Sequence, residues 1–295
     1  MKFIDFVTDN KLGRIVLNES FKTLTTIGCG GNIKVLYYPS GTDELSKAFK
    51  YIKDNNLKYF IIGNGSNTLA SDSDYEGIVI SLKEMKYDFT VSDGMITVSA
   101  NYPTIRLAYE LGALKLGDLS FLGGIPGTVG GAIYNNSGAY NDNIKNHIID
   151  VDYIDTSGKI VTLSKDKLML GYRNSIFHKL EGIIISARFE VEYIETKMIL
   201  KERLKRRKQT QPLEYKSMGS IFKNNLLIPS YKIIDLLSMR GFKINDIEVS
   251  KKHSNFIINT NNGTSKDVLK MIDLIQKRAK LELGINLEYE ITLIN

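Results

Sequence analysis

Two glycine-rich segments are the part of this sequence best suited to bind phosphate groups. The first, Gly63 to Asn67, directly follows the apolar stretch Tyr59–Ile62, which reads as a buried strand. Small residues at a strand end can point several backbone N–H groups at phosphate oxygens. The segment has Thr68 where a dinucleotide-binding turn has glycine, and it lacks the Gly-Lys-Ser/Thr ending of a P-loop. An ordinary strand-exit turn therefore remains an alternative interpretation.

The second segment is longer and is harder to attribute to packing. Six glycines lie between positions 123 and 138, and each glycine gives up side-chain packing and costs backbone entropy on folding. Close approach of the backbone to a planar or phosphorylated ligand would account for them. A tightly crossed loop under a neighbouring strand is the structural alternative. The polar residues that follow and could donate hydrogen bonds to a ligand are Asn135, Asn136, Ser137 and Tyr140.

Hydrophobic periodicity predicts the elements around the first segment. Val35–Ile62 reads as a strand, a helix and a strand, with Thr42 as the cap of the helix. Another strand follows at Ile78–Leu82, which places the glycine turn at the end of a strand within a sheet. The buried face of the helix is expected to contain Leu45, Ala48, Phe49 and Ile52.

The middle of the chain predicts a second α+β subdomain, and a charged helix follows it. The strands of this subdomain are predicted at Met95–Ala100, Ile148–Ile154 and Gly182–Val191. The helix covers Lys197–Lys208, and a third unit is expected to begin near residue 200. The basic side chains from Lys201 to Lys208 are interpreted as a solvated helix face that can attract anionic substrates.

The C-terminal region contains the clearest helix, Ser265–Leu283, which Gly284 should end. Apolar and polar residues alternate from Ile285 to Leu293, which predicts a half-buried strand. Glu288 and Glu290 share the polar face of that strand, so the pattern alone does not choose between the two carboxylates. The buried stripe of the helix is predicted to contain Val268, Leu269, Ile272, Ile275 and Ala279.

Composition excludes several classes of protein. The 295 residues include 39 Lys and Arg against 33 Asp and Glu, a mild excess that favours a small anionic ligand over nucleic acid. With Cys29 as the only cysteine and three histidines, disulfides and thiolate metal sites are excluded, and no metal is predicted. The N-terminus lacks the apolar centre of a secretory signal, and the uncharged run 119–141 has too many glycines to span a bilayer. We expect that run to be a loop region and the protein to be cytoplasmic, with no membrane partner.

Several segments, in order, resemble the UDP-N-acetylenolpyruvoylglucosamine reductases, the flavin enzymes known as MurB. Each segment alone is a weak signal, but together they extend from residue 25 to residue 290, and their shared order argues strongly against chance. The matching segments are residues 25–31, 63–67, 123–140, 171–177, 219–224, 249–256 and 287–290.

The resemblance implies an α+β fold. It consists of a two-subdomain FAD-binding fold of the vanillyl-alcohol-oxidase (PCMH) type, at residues 1–82 and 83–198, and a C-terminal α+β substrate-binding domain at residues 199–295. The chain resembles the shorter group of the family, which lacks the inserted tyrosine loop that caps the substrate. The implied activity is that of a UDP-N-acetylmuramate dehydrogenase of peptidoglycan synthesis. NADPH would reduce FAD and leave, and UDP-N-acetylglucosamine enolpyruvate would then take a hydride from the flavin in the same cleft.

The resemblance also assigns residues to the site. Ser220 would protonate the enol intermediate, Arg173 would face the substrate carboxylate, and Glu290 would be the catalytic glutamate. Substrate contacts are expected from Tyr172, Lys223, Asn224, His253 and Asn255. FAD contacts are expected from Gly63, Asn64, Gly65, Ser66, Asn67, Gly124, Ile125, Pro126, Gly127, Thr128, Gly130, Gly131, Asn135, Ser137, Gly138 and Ala139. Without the resemblance, the three catalytic candidates would be interpreted as a turn cap, a surface ion pair and a solvated carboxylate.

The sequence departs from the usual family pattern at Asn135, Ser137, Asn141, Asn225, Ser238 and Asn245. Asparagine tolerates left-handed backbone better than serine does, so Ser238 is the least expected of these where glycine is usual.

Two other functions stay open. One is a flavin oxidase on the same fold, which needs neither Gly219–Ser220 nor the C-terminal glutamate. The other is a non-catalytic nucleotide- or RNA-binding protein that uses the basic helix near residue 205. A monomer acting on small molecules is expected.

Overall fold

The computed structural model describes residues 2–225 and 228–295. Its helices are α1 (Lys2–Asp9), α2 (Phe21–Leu24), α3 (Thr42–Asp54), α4 (Thr104–Ala113), α5 (Val129–Tyr134), α6 (Ile144–His147), α7 (Lys197–Thr210), α8 (Ser230–Leu236) and α9 (Ser265–Leu283). Short 3-10 helices lie at Leu82–Glu84, Asp118–Gly124, Lys165–Leu168 and Ile176–His178. The strands are β1 (Gly13–Ser20), β2 (Asn32–Pro39), β3 (Tyr59–Ile62), β4 (Thr68–Ala70), β5 (Tyr75–Ser81), β6 (Phe89–Ser92), β7 (Met95–Ser99), β8 (Gly138–Ala139), β9 (Asp142–Asn143), β10 (Ile148–Ile154), β11 (Ile160–Ser164), β12 (Ile183–Glu190), β13 (Lys216–Ser220), β14 (Lys243–Ile244), β15 (Ile247–Val249), β16 (Phe256–Asn259) and β17 (Thr292–Ile294).

The chain forms two compact units, each assembled from separate stretches of sequence. The first unit contains the chain up to Leu17, Val35–Gly63 and Gly77–Leu204. The second unit contains Asn18–Lys34, Asn64–Glu76 and Lys205–Asn295. The domain boundaries expected after residues 82 and 198 remain predictions.

The strand–helix–strand prediction for Val35–Ile62 is confirmed by β2, α3 and β3. These elements contribute to a four-stranded sheet with the order β1-β2-β5-β3, in which β3 and β5 run parallel. The predicted face of α3 is fully buried. The prediction that Thr42 caps α3 is wrong, because the backbone leaves the helical conformation at Gly41, which is the N-cap and makes no side-chain cap bond. Thr42 is therefore the first helical residue. Asp43 and Glu44 supply the negative charge that favours a helix N-terminus.

The three strands predicted in the middle of the chain are confirmed as β7, β10 and β12. They belong to an antiparallel five-stranded sheet with the order β11-β10-β12-β7-β6. The uncharged run expected to be a loop packs against this sheet and is partly helical, with the 3-10 helix Asp118–Gly124 and α5. Phe121, Leu122 and Ile133 from that run are buried in the core of the sheet. Apolar burial between the glycines thus gives the run a fixed shape.

The second unit is built on a four-stranded antiparallel sheet with the order β13-β16-β15-β14 and on helix α9. Helix α9 has the predicted bounds and ends at Gly284, which is left-handed with φ +69°. Leu269 was predicted in the buried stripe, but it is 37% exposed, and Met271 is buried instead. The stripe that follows Val268 at helical spacing includes Met271, Ile272 and Ile275, whereas Leu269 lies about 100° around the helix from Val268.

The strand predicted over Ile285–Leu293 is mostly wrong. Only Thr292–Ile294 forms a strand, β17, which runs parallel to β4. Ahead of it, Tyr289 makes an isolated antiparallel bridge to Phe222. The segment therefore changes pairing partner within a few residues, and one regular strand cannot satisfy both partners. Leu287 and Ile291 are buried as the alternation predicted, whereas Tyr289, on the same predicted face, is 38% exposed.

The charged helix predicted at Lys197–Lys208 is confirmed by α7. No helix in the described ranges, 2–225 and 228–295, has both the length and the apolar character needed to cross a membrane. Three of the family departures adopt left-handed backbone, with φ of +63° at Asn141, +53° at Ser238 and +51° at Asn245. The chain thus keeps these turns without glycine.

Candidate functional site

The first glycine segment begins at Gly63, where β3 ends beside the N-terminus of α5. A methyl group at Gly63 would lie 2.9 Å from Thr128 Oγ1. Thr128 is the N-cap of α5, and its Oγ1 accepts a hydrogen bond from the Gly131 N–H at 3.3 Å. Within the first unit, Gly63 is thus in close contact with the second glycine segment.

In the second unit, Gly65 is required by the conformation of the chain itself. Its φ is +60°, and a methyl group there would collide with the Leu24 carbonyl oxygen and lie 2.8 Å from Thr25 Cα. The Thr26 N–H donates to Gly65 O at 3.1 Å. The turn at Leu24–Thr26 and the glycine segment are therefore packed backbone to backbone.

Asn67 connects the first glycine segment to the predicted catalytic glutamate. Its Nδ2 donates to the Glu290 carbonyl oxygen at 3.0 Å, and its own carbonyl accepts from the Thr292 N–H at 2.8 Å. These two bonds fix the backbone on both sides of Ile291. A residue predicted to contact FAD thus holds the main chain at Glu290.

Ser220 lies at the end of β13, next to the first glycine segment and to the backbone at Glu290. Gly219 before it has φ +78°, and a methyl group on Gly219 would lie 3.9 Å from Ser66 O. The residue after it, Ile221, accepts a hydrogen bond from the Glu290 N–H at 2.8 Å. Ser220 and Glu290 therefore occupy hydrogen-bonded neighbouring segments beside Ser66. A hydroxyl group and a carboxyl group are brought to one part of the second unit.

The structure separates the two carboxylates that the sequence pattern could not. The Glu288 side chain is 76% exposed, and its Oε2 lies 3.5 Å from Lys223 Nζ. Glu290 is half-buried. Glu290 is thus the more shielded of the two carboxylates, as expected if Glu290 is the functional residue. That assignment remains a prediction.

Arg173 lies at the tip of a tight turn in the first unit. Gly171 and Asn174 are joined by reciprocal backbone hydrogen bonds, and Arg173 between them has φ +51°. Left-handed backbone is unfavourable for arginine, and such conformations are concentrated at functional sites. The Arg173 Nη2 donates to Gly138 O at 3.5 Å. The turn therefore directs the guanidinium group to the second glycine segment.

Asn136 holds the base of this turn, a role that was not predicted. It is buried, its Nδ2 donates to Gly171 O at 2.7 Å, and its Oδ1 accepts from the Lys145 N–H at 2.9 Å. The neighbouring residues predicted to contact FAD lie on the turns that flank α5 and in the β8–β9 hairpin. They are Gly124, Ile125, Pro126 and Gly127 before α5, and Asn135, Ser137, Gly138 and Ala139 after it.

The two glycines of α5 differ in whether the surrounding protein leaves room for a side chain. A methyl group at Gly130 would lie 3.1 Å from Ala100 Cβ, so packing disfavours a side chain there. A methyl group at Gly131 would meet only Thr128 Oγ1, at an ordinary 3.5 Å, and Gly131 is exposed. The protein's own packing thus does not explain Gly131. The space at Gly131 leaves room for the FAD that the family resemblance implies.

The predicted substrate residues have varied surroundings. Asn255 is buried, and its amide group bonds both the N–H and the carbonyl of Phe222, at 3.0 and 2.8 Å. It therefore holds the backbone just after Ser220. Asn224 Oδ1 accepts from the Ser230 N–H at 3.2 Å, and Tyr172 is exposed. Lys223 is tied through its N–H to Glu288 O at 2.9 Å. Contact with substrate remains a prediction for all of these.

His253 packs as an aromatic ring. Its ring centroid lies 4.8 Å from that of Phe256 and 5.5 Å from that of Tyr231. Burial lowers the pKa of His253 below its usual value, and the nearby charge of Arg240 lowers it further. The ring is therefore neutral at pH 7. Its buried Nδ1 has no hydrogen-bond partner among the described residues.

Helix α7, predicted to be solvated, holds the second glycine segment through two residues. Leu200 fills the space left by Gly112 and Gly123, where methyl groups would lie 2.9 and 2.5 Å from its Cδ atoms. Arg203 Nη1 donates to Ser120 Oγ at 2.9 Å, and its guanidinium group lies 4.4 Å from the Tyr140 ring centroid. The charge pattern hid these contacts because they depend on distant residues.

Comparisons with known proteins match both the N-terminal and the C-terminal parts of the chain. A family model described as an FAD binding domain matches residues 33–164. A second, the C-terminal domain of UDP-N-acetylenolpyruvoylglucosamine reductase, matches residues 211–294. A crystal structure of the Thermus caldophilus enzyme of that name (MurB) superposes with a TM-score of 0.79 at 29% identity, covering 96% of this chain and 99% of that one.

Curated relatives with the same name cover nearly the whole chain. One from Caldanaerobacter subterraneus is 36% identical over 96% of this chain and 95% of its own length. Another, from Clostridium tetani, is 34% identical over 98% of this chain and 96% of its own length.

The fold and the matched domains define an FAD-binding oxidoreductase with a C-terminal α+β domain, as the sequence predicted. Within that class, the chain belongs to the UDP-N-acetylenolpyruvoylglucosamine reductase family.

Proposed function

We propose that the protein uses NADPH and FAD to reduce UDP-N-acetylglucosamine enolpyruvate to UDP-N-acetylmuramate, a precursor of peptidoglycan. The protein is a UDP-N-acetylmuramate dehydrogenase that acts as a monomer on small molecules in the cytoplasm, without nucleic-acid or membrane partners. Membership of the family supports the substrate, and the domain match supports FAD.

The observation that carries the proposal is the clustering of chemistry-bearing residues in the second unit. Ser220, Glu290 and the Gly65–Asn67 segment are joined by the hydrogen bond from the Glu290 N–H to Ile221 O, next to Ser220, and by the bond from Asn67 Nδ2 to Glu290 O. A simple flavin oxidase would need neither the hydroxyl group nor the carboxyl group at this position.

Residues of the two glycine segments would hold FAD. Gly131 leaves room for the close approach of the cofactor, and main-chain N–H groups of the Gly65–Asn67 turn would suit pyrophosphate oxygens. The chemistry that FAD supplies when bound is hydride transfer from a reduced nicotinamide to the enolpyruvyl double bond.

Arg173 is proposed to bind the substrate carboxylate. Hydride addition at the terminal carbon of the enolpyruvyl group places negative charge on the neighbouring carbon and its carboxylate. A guanidinium group can form two parallel hydrogen bonds to a carboxylate and stabilise that charge. The left-handed turn and the bond to Gly138 O limit the positions that the Arg173 side chain can adopt.

Ser220 is proposed to donate the proton that completes the reaction. The hydride forms one C–H bond at the terminal carbon, and the Ser220 O–H bond breaks as its proton forms the second C–H bond at the neighbouring carbon. Serine is a weak acid, so it needs fixed geometry and nearby polar groups. Glu290, on the adjoining segment, is proposed as the catalytic carboxyl group beside it. Proton donation of this kind contributes about 10² to 10⁴ in rate.

The test separates the two half-reactions in anaerobic stopped-flow experiments. Purified protein should be yellow, NADPH should bleach the flavin band, and the enolpyruvyl substrate should restore it without oxygen. A flavin that oxygen restores but the substrate does not would indicate an oxidase. Colourless protein that refuses added FAD and is retained on RNA at low salt would indicate a binding protein.

In Ser220→Ala, NADPH should reduce the flavin at the normal rate, but the substrate should reoxidise the flavin at least about 10²-fold more slowly. Glu290→Gln should also slow reoxidation. The matched control is Glu288→Gln, which changes the exposed carboxylate two residues away and should leave both half-reactions unaltered. Normal reoxidation of Ser220→Ala would remove the hydroxyl group from the mechanism, and a slower Glu288→Gln would reverse the choice of glutamate.

A further inference from the structure

Thr26 makes three contacts that no predicted function requires. Its hydroxyl group donates to the Ser217 carbonyl oxygen at 2.6 Å and also lies 3.4 Å from Gly65 O, and its N–H donates to Gly65 O at 3.1 Å. We infer that Thr26 is a positioning residue, which fixes the strand that presents Ser220 relative to the Gly65–Asn67 segment. This inference rests on the proposed function, in which Ser220 donates the proton.

The strand that carries Ser220 needs support from outside its own sheet. β13 lies at the edge of that sheet and pairs only with β16 there. Ser217 is opposite Ile258 and Ser220 is opposite Phe256, but the register shifts between these pairs, and Gly219 is left-handed. A bulge bends a strand and leaves residues unpaired. Regular sheet pairing therefore holds Ser217 and Ser220 but does not fix Met218 and Gly219 between them.

Thr26 supplies that support from a rigid position. Its own turn is packed against Gly65 so closely that a methyl group on Gly65 would collide with Leu24 O. The bond from the Thr26 N–H to Gly65 O holds the Thr26 backbone at the glycine segment, and its hydroxyl group reaches Ser217 from there. One side chain links the segment expected to bind the cofactor to the strand that carries the proton donor.

Thr26 is also well suited to a test, because it is exposed and does not fill the core. Thr26→Val removes the hydroxyl group with little change of volume, and water can solvate the Ser217 carbonyl. We therefore expect the variant to fold normally but to position the strand that carries Ser220 less precisely. Thr25, next to it, is the matched control. It is buried, and its hydroxyl group bonds Phe21 O at 2.8 Å within its own turn.

In the half-reaction experiments, Thr26→Val should bind FAD normally, and NADPH should reduce its flavin at the normal rate. Reoxidation of the flavin by the enolpyruvyl substrate should be roughly fivefold slower, the rate equivalent of one ordinary hydrogen bond. Thr26→Ser, which keeps the hydroxyl group, should restore the rate. Thr25→Val should lower the melting temperature and leave reoxidation unchanged. Normal reoxidation in Thr26→Val, or failure of Thr26→Ser to restore it, would overturn the inference.

A second measurement does not depend on catalysis. In FAD-depleted full-length protein, hydrogen–deuterium exchange of the peptide covering residues 217–222 should be faster in Thr26→Val than in the wild type, and unchanged in Thr25→Val. Equal exchange in the wild type and Thr26→Val would contradict the positioning role. If the wild type is not reoxidised by the substrate, the proposed function fails, while the exchange result still decides whether Thr26 holds the strand.

Discussion

The two glycine segments look alike in sequence, but Gly131 in the second segment has different surroundings from Gly63 and Gly65 in the first. In the first, a side chain at Gly63 or Gly65 would clash with neighbouring protein atoms, and Gly65 also needs a left-handed backbone. In the second, Gly130 is restricted by Ala100, but Gly131 next to it has room for a side chain. Glycine at position 65 is therefore required by the fold, whereas the surrounding protein leaves room for a side chain at Gly131.

This difference changes how glycine-rich motifs should be interpreted. A dense group of glycines is consistent with phosphate binding, but it is equally consistent with close packing of backbones. The useful observation is a glycine with ordinary φ, exposed backbone and space above it. Gly131 meets that description, and Gly65 does not.

The largest expected effect is on the fold, at Gly65. Gly65→Ala should lower the free energy of unfolding by more than about 4 kcal/mol, because it combines left-handed strain with a backbone clash. The control is Gly94→Ala, which has a similar φ of +72° but meets only Val191 O, at 3.7 Å. We expect Gly94→Ala to cost about 1 to 2 kcal/mol, the strain alone. Denaturant unfolding of both variants measures the difference, and equal losses would show that the packing at Gly65 has been overstated.

An intermediate effect is expected at Gly131, on the cofactor rather than on the fold. Gly131→Ala should weaken FAD binding at least about tenfold, or 1.4 kcal/mol, because the methyl group occupies space that the cofactor needs. In FAD-free protein, the same change should stabilise α5 by about 0.5 to 1 kcal/mol, since alanine is the better helix former.

The neighbouring change, Gly130→Ala, provides the control for Gly131. Its methyl group would press on Ala100, so it should destabilise FAD-free protein by about 1 kcal/mol. Flavin titration and thermal unfolding of both variants test the pair. If Gly131→Ala binds FAD as tightly as the wild type, the contrast between the two segments does not hold.

The smallest expected effect concerns the helix that holds the second segment. Arg203→Ala removes the contact with Tyr140 and the bond to Ser120 Oγ, and should lower stability by about 1 kcal/mol. Arg206→Ala, on the exposed side of α7, should stay within about 0.5 kcal/mol of the wild type. Thermal unfolding compares the two variants. Equal melting temperatures would support the sequence-based prediction that Arg203 belongs to a solvated helix face.

Local patterns predicted the elements well where one face of an element is buried. The faces of α3 and α9 follow helical spacing, because burial on one side imposes that spacing on the residues. The prediction for Ile285–Leu293 was wrong in its strand, although Leu287 and Ile291 are buried. Alternation predicted the burial of these two side chains but not the exposure of Tyr289, and it does not report which backbone the residues pair with. That pairing was decided by Phe222 and β4, far away in the sequence.

The amino-acid sequence by itself determined the family motifs, most helices and strands, and the residue types available for chemistry. It did so because motif spacing and apolar periodicity are local properties of the chain. Tertiary structure alone decided which glycines have room above them, which of Glu288 and Glu290 is shielded, and that Thr26 holds Ser217 across 191 residues. Such contacts arise when distant segments pack together, and spacing along the chain carries no record of them.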